Sequence, residues 1–284
     1  MPRDYPYNVL DVFTDRPLAG NQLAVVHDAD GLDDATMLAF ARETRLSETT
    51  FVQSASADGA AYRNRIFTVA EEVPFAGHPS LGTAVAVAAG RGEQEAGYVQ
   101  QTTAGLQPVD VRRGNGSWTA SMLQEPPVFG DEVNPSHVMA AVGLLTGDAH
   151  RDLPPQVVST GLPTLIAPLL DDGAIARCEP DFELIPHLLE GCGAVNLYVA
   201  WHDGAGRVHA RMFTRLVEGG EDPATGSAAG PLCAYLSNRG QGDRVEIAQG
   251  VEMGRPSTLH AEMEAGRVRV GGRVVLLIEG SVSL

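Results

Sequence analysis

The chain is 284 residues long, enough for one large or two medium domains, and its 44% hydrophobic and 20% charged residues are those of an ordinary folded globular protein. Twenty basic against 36 acidic residues leave a formal net charge of −16, which repels nucleic-acid phosphates and offers no basic stripe to hold them. No apolar run approaches the ~18 to 20 residues needed to span a bilayer, and Met1-Pro2-Arg3-Asp4-Tyr5-Pro6 lacks the basic-then-apolar pattern of a secretory signal, so a cytoplasmic protein without membrane or nucleic-acid partners is expected.

In chain order, Tyr7 to Phe13 and Leu23 to Val26 read as two strands joined through the Pro17 to Asn21 turn. Asp33 or Asp34 can cap a helix whose apolar residues Met37, Leu38, Phe40 and Ala41 recur at helical spacing. Strands follow at 47–52 and 61–69. An all-apolar, alanine-rich run, Thr83 to Ala89, then stops at Gly90, the pattern of a helix buried on every side. Regularity breaks at Gly114-Asn115-Gly116-Ser117 and Glu125-Pro126-Pro127, which places a domain boundary near 125, dividing the chain into 1–125 and 126–284. Asn115-Gly116-Ser117 fits the glycosylation sequon, a chance match without a signal peptide. Beyond the boundary the order recurs: a helical stretch near Phe182 to Leu189, a strand at Val195 to Trp201, a turn at Asp203 to Gly206, a strand at Val208 to Thr214, and a second small apolar run, Ala228 to Leu236. The reading is α+β: two pseudo-symmetric domains, each a curved, mostly antiparallel, barrel-like sheet wrapped around a central helix, with the first helix of each half as an outer cover.

The repeat is visible as a motif. His78-Pro79-Ser80-Leu81-Gly82-Thr83-Ala84 and Asp222-Pro223-Ala224-Thr225-Gly226-Ser227-Ala228 share the pattern His/Asp-Pro-x-x-Gly-Thr/Ser-Ala about half a chain apart. Arg65-Ile66-Phe67-Thr68 and Arg211-Met212-Phe213-Thr214 precede them. Glycines and small hydroxyls at the start of a buried helix leave backbone N–H groups pointing outward, and two such starts facing each other would make an anion-holding cleft.

Chemistry is expected where the copies differ. His78 stands at a glycine-rich helix start, where an imidazole can reach a cleft and still be oriented. Asp222 is a candidate partner that would also cap its helix, and Glu221 beside it is expected to point away. Glu48 lies in a β-branched strand; sliding the halves so that Phe67 meets Phe213 sets it opposite Ala194, so this acid has no counterpart. Ser80, Thr83 and Ser227 could equally serve only as helix caps. No Gly-Lys-Ser/Thr loop, complete GxGxxG, HExxH or GxSxG elbow is present. The three cysteines, Cys178, Cys192 and Cys233, are an odd number without CxxC spacing. No metal site is expected.

In these blocks the chain resembles the phenazine biosynthesis PhzF-like family, which is similar in architecture to diaminopimelate epimerase. The resemblance rests on Asp11-Val12-Phe13-Thr14 with Gly20 to Val25, Ser47-Glu48-Thr49-Thr50-Phe51, Pro74-Phe75-Ala76-Gly77-His78-Pro79 and Glu221-Asp222-Pro223-Ala224-Thr225-Gly226-Ser227, with Gln249-Gly250 and Gly254-Arg255-Pro256 in the tail. It implies an active site between two domains, no cofactor, and a homodimer. It also implies Glu48 as the proton-shuttling acid with His78 and Asp222 as partners, and Gly77, Gly226 and Ser227 as substrate-holding groups. The related epimerases use one thiol from each domain, and no cysteine lies in either motif here. The function expected is a cofactor-independent isomerase that moves a proton within a small carboxylate-bearing molecule, with domain closure excluding water around Glu48. Two alternatives remain open at this point: a non-catalytic small-anion binding protein on the same fold, and thiol-based epimerisation through one of the three cysteines.

Overall fold

A computed structural model describes residues 3–114, 116–217 and 219–284, so Asn115 of the sequon lies outside the described residues. The chain divides into two compact units, the first running to Met122 and resuming at Gly271–Leu284, the second spanning Leu123–Val270. The division falls close to the expected 125, but the last 14 residues leave the expected 126–284 domain, because the C-terminal strand pairs with the N-terminal one.

The first unit opens with β1 (Asp4–Val12), β2 (Asn21–Val26), α1 (Asp34–Thr44), β3 (Glu48–Gln53), β4 (Tyr62–Phe67), β5 (Glu72–Val73) and α2 (Gly77–Arg91), followed by β6 (Glu95–Thr102), β7 (Gly105–Gly114) and β8 (Ser117–Leu123). The second contains β9 (Val128–Glu132), α3 (Pro135–Ala141), β10 (Gln156–Ser159), β11 (Pro163–Pro168), α4 (Asp172–Arg177), α5 (Leu184–Cys192), β12 (Asn196–His202), β13 (Arg207–Thr214), β14 (Glu221–Asp222), α6 (Gly226–Asn238), β15 (Arg244–Gln249) and β16 (Ser257–Glu264). The final strand β17 (Arg267–Ser283) begins there and completes the first unit.

In the first unit the ladder runs β1, β2, β3, β4, β6, β7, β8, β17 and back to β1, a closed 8-strand barrel. Closure leaves that sheet no open edge. β2–β3 and β4–β6 are parallel, and β1–β2, β3–β4, β6–β7, β7–β8 and β1–β17 are antiparallel. The second unit repeats this order: β11–β12 and β13–β15 are its parallel pairs, in the same places, within β9, β10, β11, β12, β13, β15 and β16.

Each sheet wraps one helix. Every residue of α2 from Gly77 to Ala88 is buried, as is every residue of α6 from Ala228 to Leu236, as their lack of a polar face requires. Close approach is bought with glycine: a Cβ at Gly82 would lie 2.5 Å from Leu23 Cδ2, and one at Gly230 would collide with Gln124 Oε1. The covering helices are amphipathic. Asp33 caps α1, accepting from Thr36 N–H at 2.8 Å, and Met37 and Ala41 bury against Tyr5, Val26, Phe51 and Phe67. In the second unit α3, α4 and α5 bury Val138, Met139, Ile175, Ile185 and Leu189 in one core with Leu197 and Phe213. Among the described residues no helix is long and apolar enough to cross a membrane.

The strand pairings correct the sequence alignment of the two halves. Thr49 faces Phe67 and Leu197 faces Phe213, so the counterpart of Glu48 is Asn196, not Ala194. The hairpin between β12 and β13 is shorter than that between β3 and β4, which a rigid slide does not allow for. Likewise Ile66 faces Val73 as Met212 faces Asp222, and the helices start at Gly77 and Gly226. Asp222 therefore corresponds to Val73, and His78 to Ser227. The matching segments are Glu72-Val73-Pro74-Phe75-Ala76-Gly77-His78 and Glu221-Asp222-Pro223-Ala224-Thr225-Gly226-Ser227; the shared His/Asp-Pro pattern is five residues out of step with the fold.

Candidate active site

In the first unit two chemically able side chains meet at the start of α2. Glu48 opens β3, which pairs in parallel with β2 so that Leu23 faces Glu48. His78, second residue of α2, is 6% exposed, and its Nε2 lies 3.3 Å from Glu48 Oε2 and 3.2 Å from the carbonyl oxygen of Gln22. A carbonyl only accepts, so Nε2 carries the proton and donates, and the tautomer is set by the fold. Burial pushes the His78 pKa down to about 3, against the smaller opposing pull of the Gln22 carbonyl. The imidazole is therefore neutral at physiological pH. What lies 3.3 Å from Glu48 Oε2, on a side chain 12% exposed, is a neutral imidazole whose Nε2–H is taken by the Gln22 carbonyl.

The helix start itself supplies donors. Ser80 N–H makes the first i to i−4 bond of α2, to Ala76 O, so the N–H groups of Gly77 and His78 precede the helical ladder. Ser80 Oγ donates to Ala76 O and Thr83 Oγ1 lies 2.8 Å from Thr50 Oγ1, so both hydroxyls tie the helix into its barrel.

The second unit carries a different polar set on the same backbone. Asp222 is buried on β14, and its Oδ2 accepts from the Thr225 hydroxyl at 2.5 Å. The residue that precedes α6 as its N-cap is Thr225, not Asp222, because the helix starts at Gly226. Gly226 O accepts from Gln124 Nε2 at 2.9 Å, and Ser227 is the second helical residue. Glu221, the neighbour of Asp222 on β14, takes a bidentate pair from Arg211 at 2.8 and 2.9 Å. The first unit builds the same clamp from Arg65 and Glu72 at 2.9 and 2.5 Å, and each arginine also lies over the phenylalanine two residues on. The sequence signal for these clamps was the Arg-x-Phe-Thr echo. Gln249, which entered the sequence reading only as part of the family-like tail and with no role, bonds both Thr225 and Asp222 through its side chain.

The cysteines stand apart from both helix starts. Cys178 follows α4, Cys192 ends α5, and Cys233 is buried in the middle of α6. Burial pushes the Cys178 thiol up to about 11 and Cys233 up to about 12, and raises Cys192 as well, which keeps all three protonated and weakly nucleophilic. Among the described residues no group of three or more His, Cys, Asp or Glu side chains is placed to hold a metal ion.

Comparison with known proteins assigns the family. The family model described as phenazine biosynthesis-like protein (PhzC-PhzF) matches residues 10–280. The chain belongs to this family. It is 38% identical over 269 residues to trans-2,3-dihydro-3-hydroxyanthranilate isomerase of Pseudomonas aeruginosa, covering 93% of this chain and 92% of that protein. It is 37% identical to the protein of that name from Pseudomonas fluorescens, over 98% and 99% of the two chains. The structure of a predicted epimerase from Pseudomonas aeruginosa superposes with a TM-score of 0.86 at 37% identity, over 98% of this chain and 99% of that one. A hydroxyproline epimerase from Agrobacterium vitis, 14% identical over 99% of this chain and 92% of that one, shares the fold alone with a TM-score of 0.65. This PhzF-family protein is an isomerase, and its architecture is the epimerase-like fold of two matched α+β halves.

Proposed function

We propose that the protein is a cofactor-independent isomerase that moves a proton between two carbons of a small, carboxylate-bearing, unsaturated metabolite, with Glu48 as the shuttle. The observation that carries this reading is the contact of Glu48 with His78 Nε2 at 3.3 Å, in a place where the second unit has Asn196 instead of an acid.

The step conserves atoms and electrons. Glu48 takes a proton from a carbon adjacent to a double bond. The C–H pair moves into the conjugated system, the double bond shifts, and protonated Glu48 returns the proton to the far carbon. Nothing is oxidised or reduced. His78 enters as a neutral group: its Nε2–H is taken by the Gln22 carbonyl while the ring nitrogen lies 3.3 Å from Glu48 Oε2, so it sits against the carboxylate without neutralising it. An imidazolium at that position would bind the carboxylate more tightly and make it a weaker base. The N–H groups at Gly77 can bind carboxylate oxygens, as helix starts do. On the resemblance of Glu221 to Ser227 to the family's pattern, Asp222, Gly226 and Ser227 of the second unit are assigned to orienting the substrate.

The test uses the relatives' substrate. Trans-2,3-dihydro-3-hydroxyanthranilate is incubated with the protein in heavy water, and isomerisation and deuterium uptake are followed by mass spectrometry. Glu48→Gln keeps the shape and loses the base, so turnover falls by about 10²- to 10⁴-fold, the range general acid–base groups contribute. Turnover by Glu48→Gln at the wild-type rate sinks the mechanism. Wild-type protein that leaves this compound unchanged moves the search to other unsaturated carboxylates.

A further inference from the structure

The second unit contains a chain of buried hydrogen bonds whose direction can be read without seeing a hydrogen. Gln249, fully buried at the end of β15, makes four contacts. Its Nε2 lies 2.7 Å from Asp222 O and 3.0 Å from Thr225 Oγ1, and its Oε1 lies 2.8 Å from Tyr198 Oη and 3.3 Å from Thr225 N. A backbone carbonyl can only accept and a backbone N–H can only donate, so the amide has one orientation. The rest follows from it. Oε1 accepts, so the Tyr198 hydroxyl must donate to it. Nε2 donates to the Thr225 hydroxyl, which must therefore spend its own proton on Asp222 Oδ2 at 2.5 Å. Burial raises the pKa of Tyr198 well above the usual phenol value, with Asp222 nearby adding to the effect, so the head of the chain stays a donor.

The first unit shows that the fold does not require this chain. The strand pairings place Thr50 where the second unit has Tyr198, Thr102 where it has Gln249, Val73 where it has Asp222 and Ala76 where it has Thr225. Those residues form no such network. Thr50 pairs with Thr83, and Thr102 Oγ1 turns to Gly105 O. The same strand–turn–helix backbone is reached with an apolar residue at both the aspartate and the threonine positions.

We propose that Gln249 and Thr225 are positioning residues for Asp222: a one-way relay, Tyr198 to Gln249 to Thr225 to Asp222, pins one carboxylate oxygen as an acceptor and aims the side chain. The relay rests on the reading of Asp222 as a substrate-orienting group. A carboxylate held by a donated hydroxyl is kept charged and in one rotamer, which suits a group that must hold a substrate through a proton shift.

Thr225→Ala tests the relay, and the first unit, with Ala76 in this place, shows that the backbone accepts alanine. Carboxyl-¹³C-aspartate labelling follows the titration of Asp222 by NMR in wild type, Thr225→Ala and Thr225→Ser. Loss of the donor disfavours the charged carboxylate, so the Asp222 titration moves to higher pH in Thr225→Ala and returns in Thr225→Ser. With trans-2,3-dihydro-3-hydroxyanthranilate as probe, kcat falls roughly tenfold to a hundredfold in Thr225→Ala, the worth of one hydrogen bond to a charged group, and the serine variant recovers it. An Asp222 titration that stays in place in Thr225→Ala overturns the relay whatever the substrate. Wild-type turnover by Asp222→Asn would instead remove Asp222 from the reaction and leave the titration result standing, so the two failures are distinguishable.

Discussion

The turn that leads into α2 and the turn that leads into α6 have one backbone and exchange their chemistry. Both begin with a glutamate clamped by an arginine from the preceding strand, Glu72 by Arg65 and Glu221 by Arg211, and both reach a glycine that opens a buried helix. Between those fixed points nearly every polar choice is reversed. Val73 and Ala76 in the first unit stand against Asp222 and Thr225 in the second; His78 stands against Ser227, and on the neighbouring strand Glu48 stands against Asn196. Each unit therefore carries its own polar set on a frame that does not depend on it. The clamps belong to the frame, the exchanged residues are those proposed for the chemistry, and the two classes should fail differently when they are mutated.

The largest effects are expected at the clamps. Arg211 is buried, donates to both oxygens of Glu221 and also to the carbonyls of Ile175 and Cys178. Arg211→Met leaves a largely buried carboxylate, 14% exposed, and two carbonyls without their donor, and about 3–5 kcal/mol of stability is lost. Arg65 is nearly as buried, but its partner Glu72 is 25% exposed, against 14% for Glu221, and its second partner Asp34 is 80% exposed. Water can take over both carboxylates, so Arg65→Met costs less, roughly 1–3 kcal/mol. Urea unfolding of the two variants decides it, and an Arg65→Met loss equal to or larger than that of Arg211→Met would show that carboxylate burial is not what sets the clamps' worth.

The exchanged residues should show themselves in pH dependence. His78 is held neutral in the folded chain, with a pKa near 3, whereas in an unfolded chain it titrates near the ordinary value of 6.5. Below pH 6.5 the unfolded state binds a proton that the native state refuses. The linkage slope is then positive: stability present above pH 6.5 is lost as pH falls toward 3, by at most about 1.4 kcal/mol per unit. His78→Gln lacks this titration. The difference in unfolding free energy between wild type and His78→Gln, measured from pH 7.5 to 4.5, therefore narrows in favour of the variant as acid is added. A constant difference across that range would mean that the native imidazole charges along with the unfolded one, and that Glu48 faces an imidazolium.

What could be read from sequence follows the same division. The frame was legible because it repeats: the all-apolar runs of α2 and α6, the Arg-x-Phe-Thr echo and the capping Asp33 are signals local to a few residues, and each became an element at nearly the expected place. The pairing of Glu48 with His78 was legible only as two separate candidates, since 30 positions of chain lie between them and a parallel β2–β3 pairing brings them together. The alignment of the halves went astray for a physical reason. Loops of unequal length sit inside each repeat, so the shared Pro-x-x-Gly pattern falls out of step with the ladders and helix starts that the fold aligns. The role of Gln249 was not legible, although Gln249-Gly250 belongs to the family-like tail, because it depends on three partner residues from other parts of the chain, Tyr198, Asp222 and Thr225. The return of Gly271–Leu284 to the first unit is of the same kind, since strand pairing across the whole chain leaves no local mark.

The smallest effect is expected from the thiols, and it separates this chain from epimerases that work through a cysteine pair. Were either helix start to carry a reactive thiol, it would need partial exposure and a lowered pKa, and helix N-termini favour both. The chain does the opposite. Cys233 is fully buried seven residues into α6, Cys178 is buried and Sγ–H of each is directed at a backbone carbonyl, Ala174 O for Cys178 and Asp243 O for Cys233. With thiols pushed up to about 11 and about 12, the thiolate fraction at pH 7.5 is below about one in a thousand for both, by the Henderson relation between pKa and pH. Cys192 is half-buried and is the residue that iodoacetamide would reach first, at a site outside both helix starts. Incubation at pH 7.5 is thus expected to leave the rate of isomerisation unchanged, with mass spectrometry recording modification at Cys192 alone. Loss of turnover in step with labelling of Cys178 or Cys233 would bring the thiol mechanism back and displace Glu48 from the centre of the reaction.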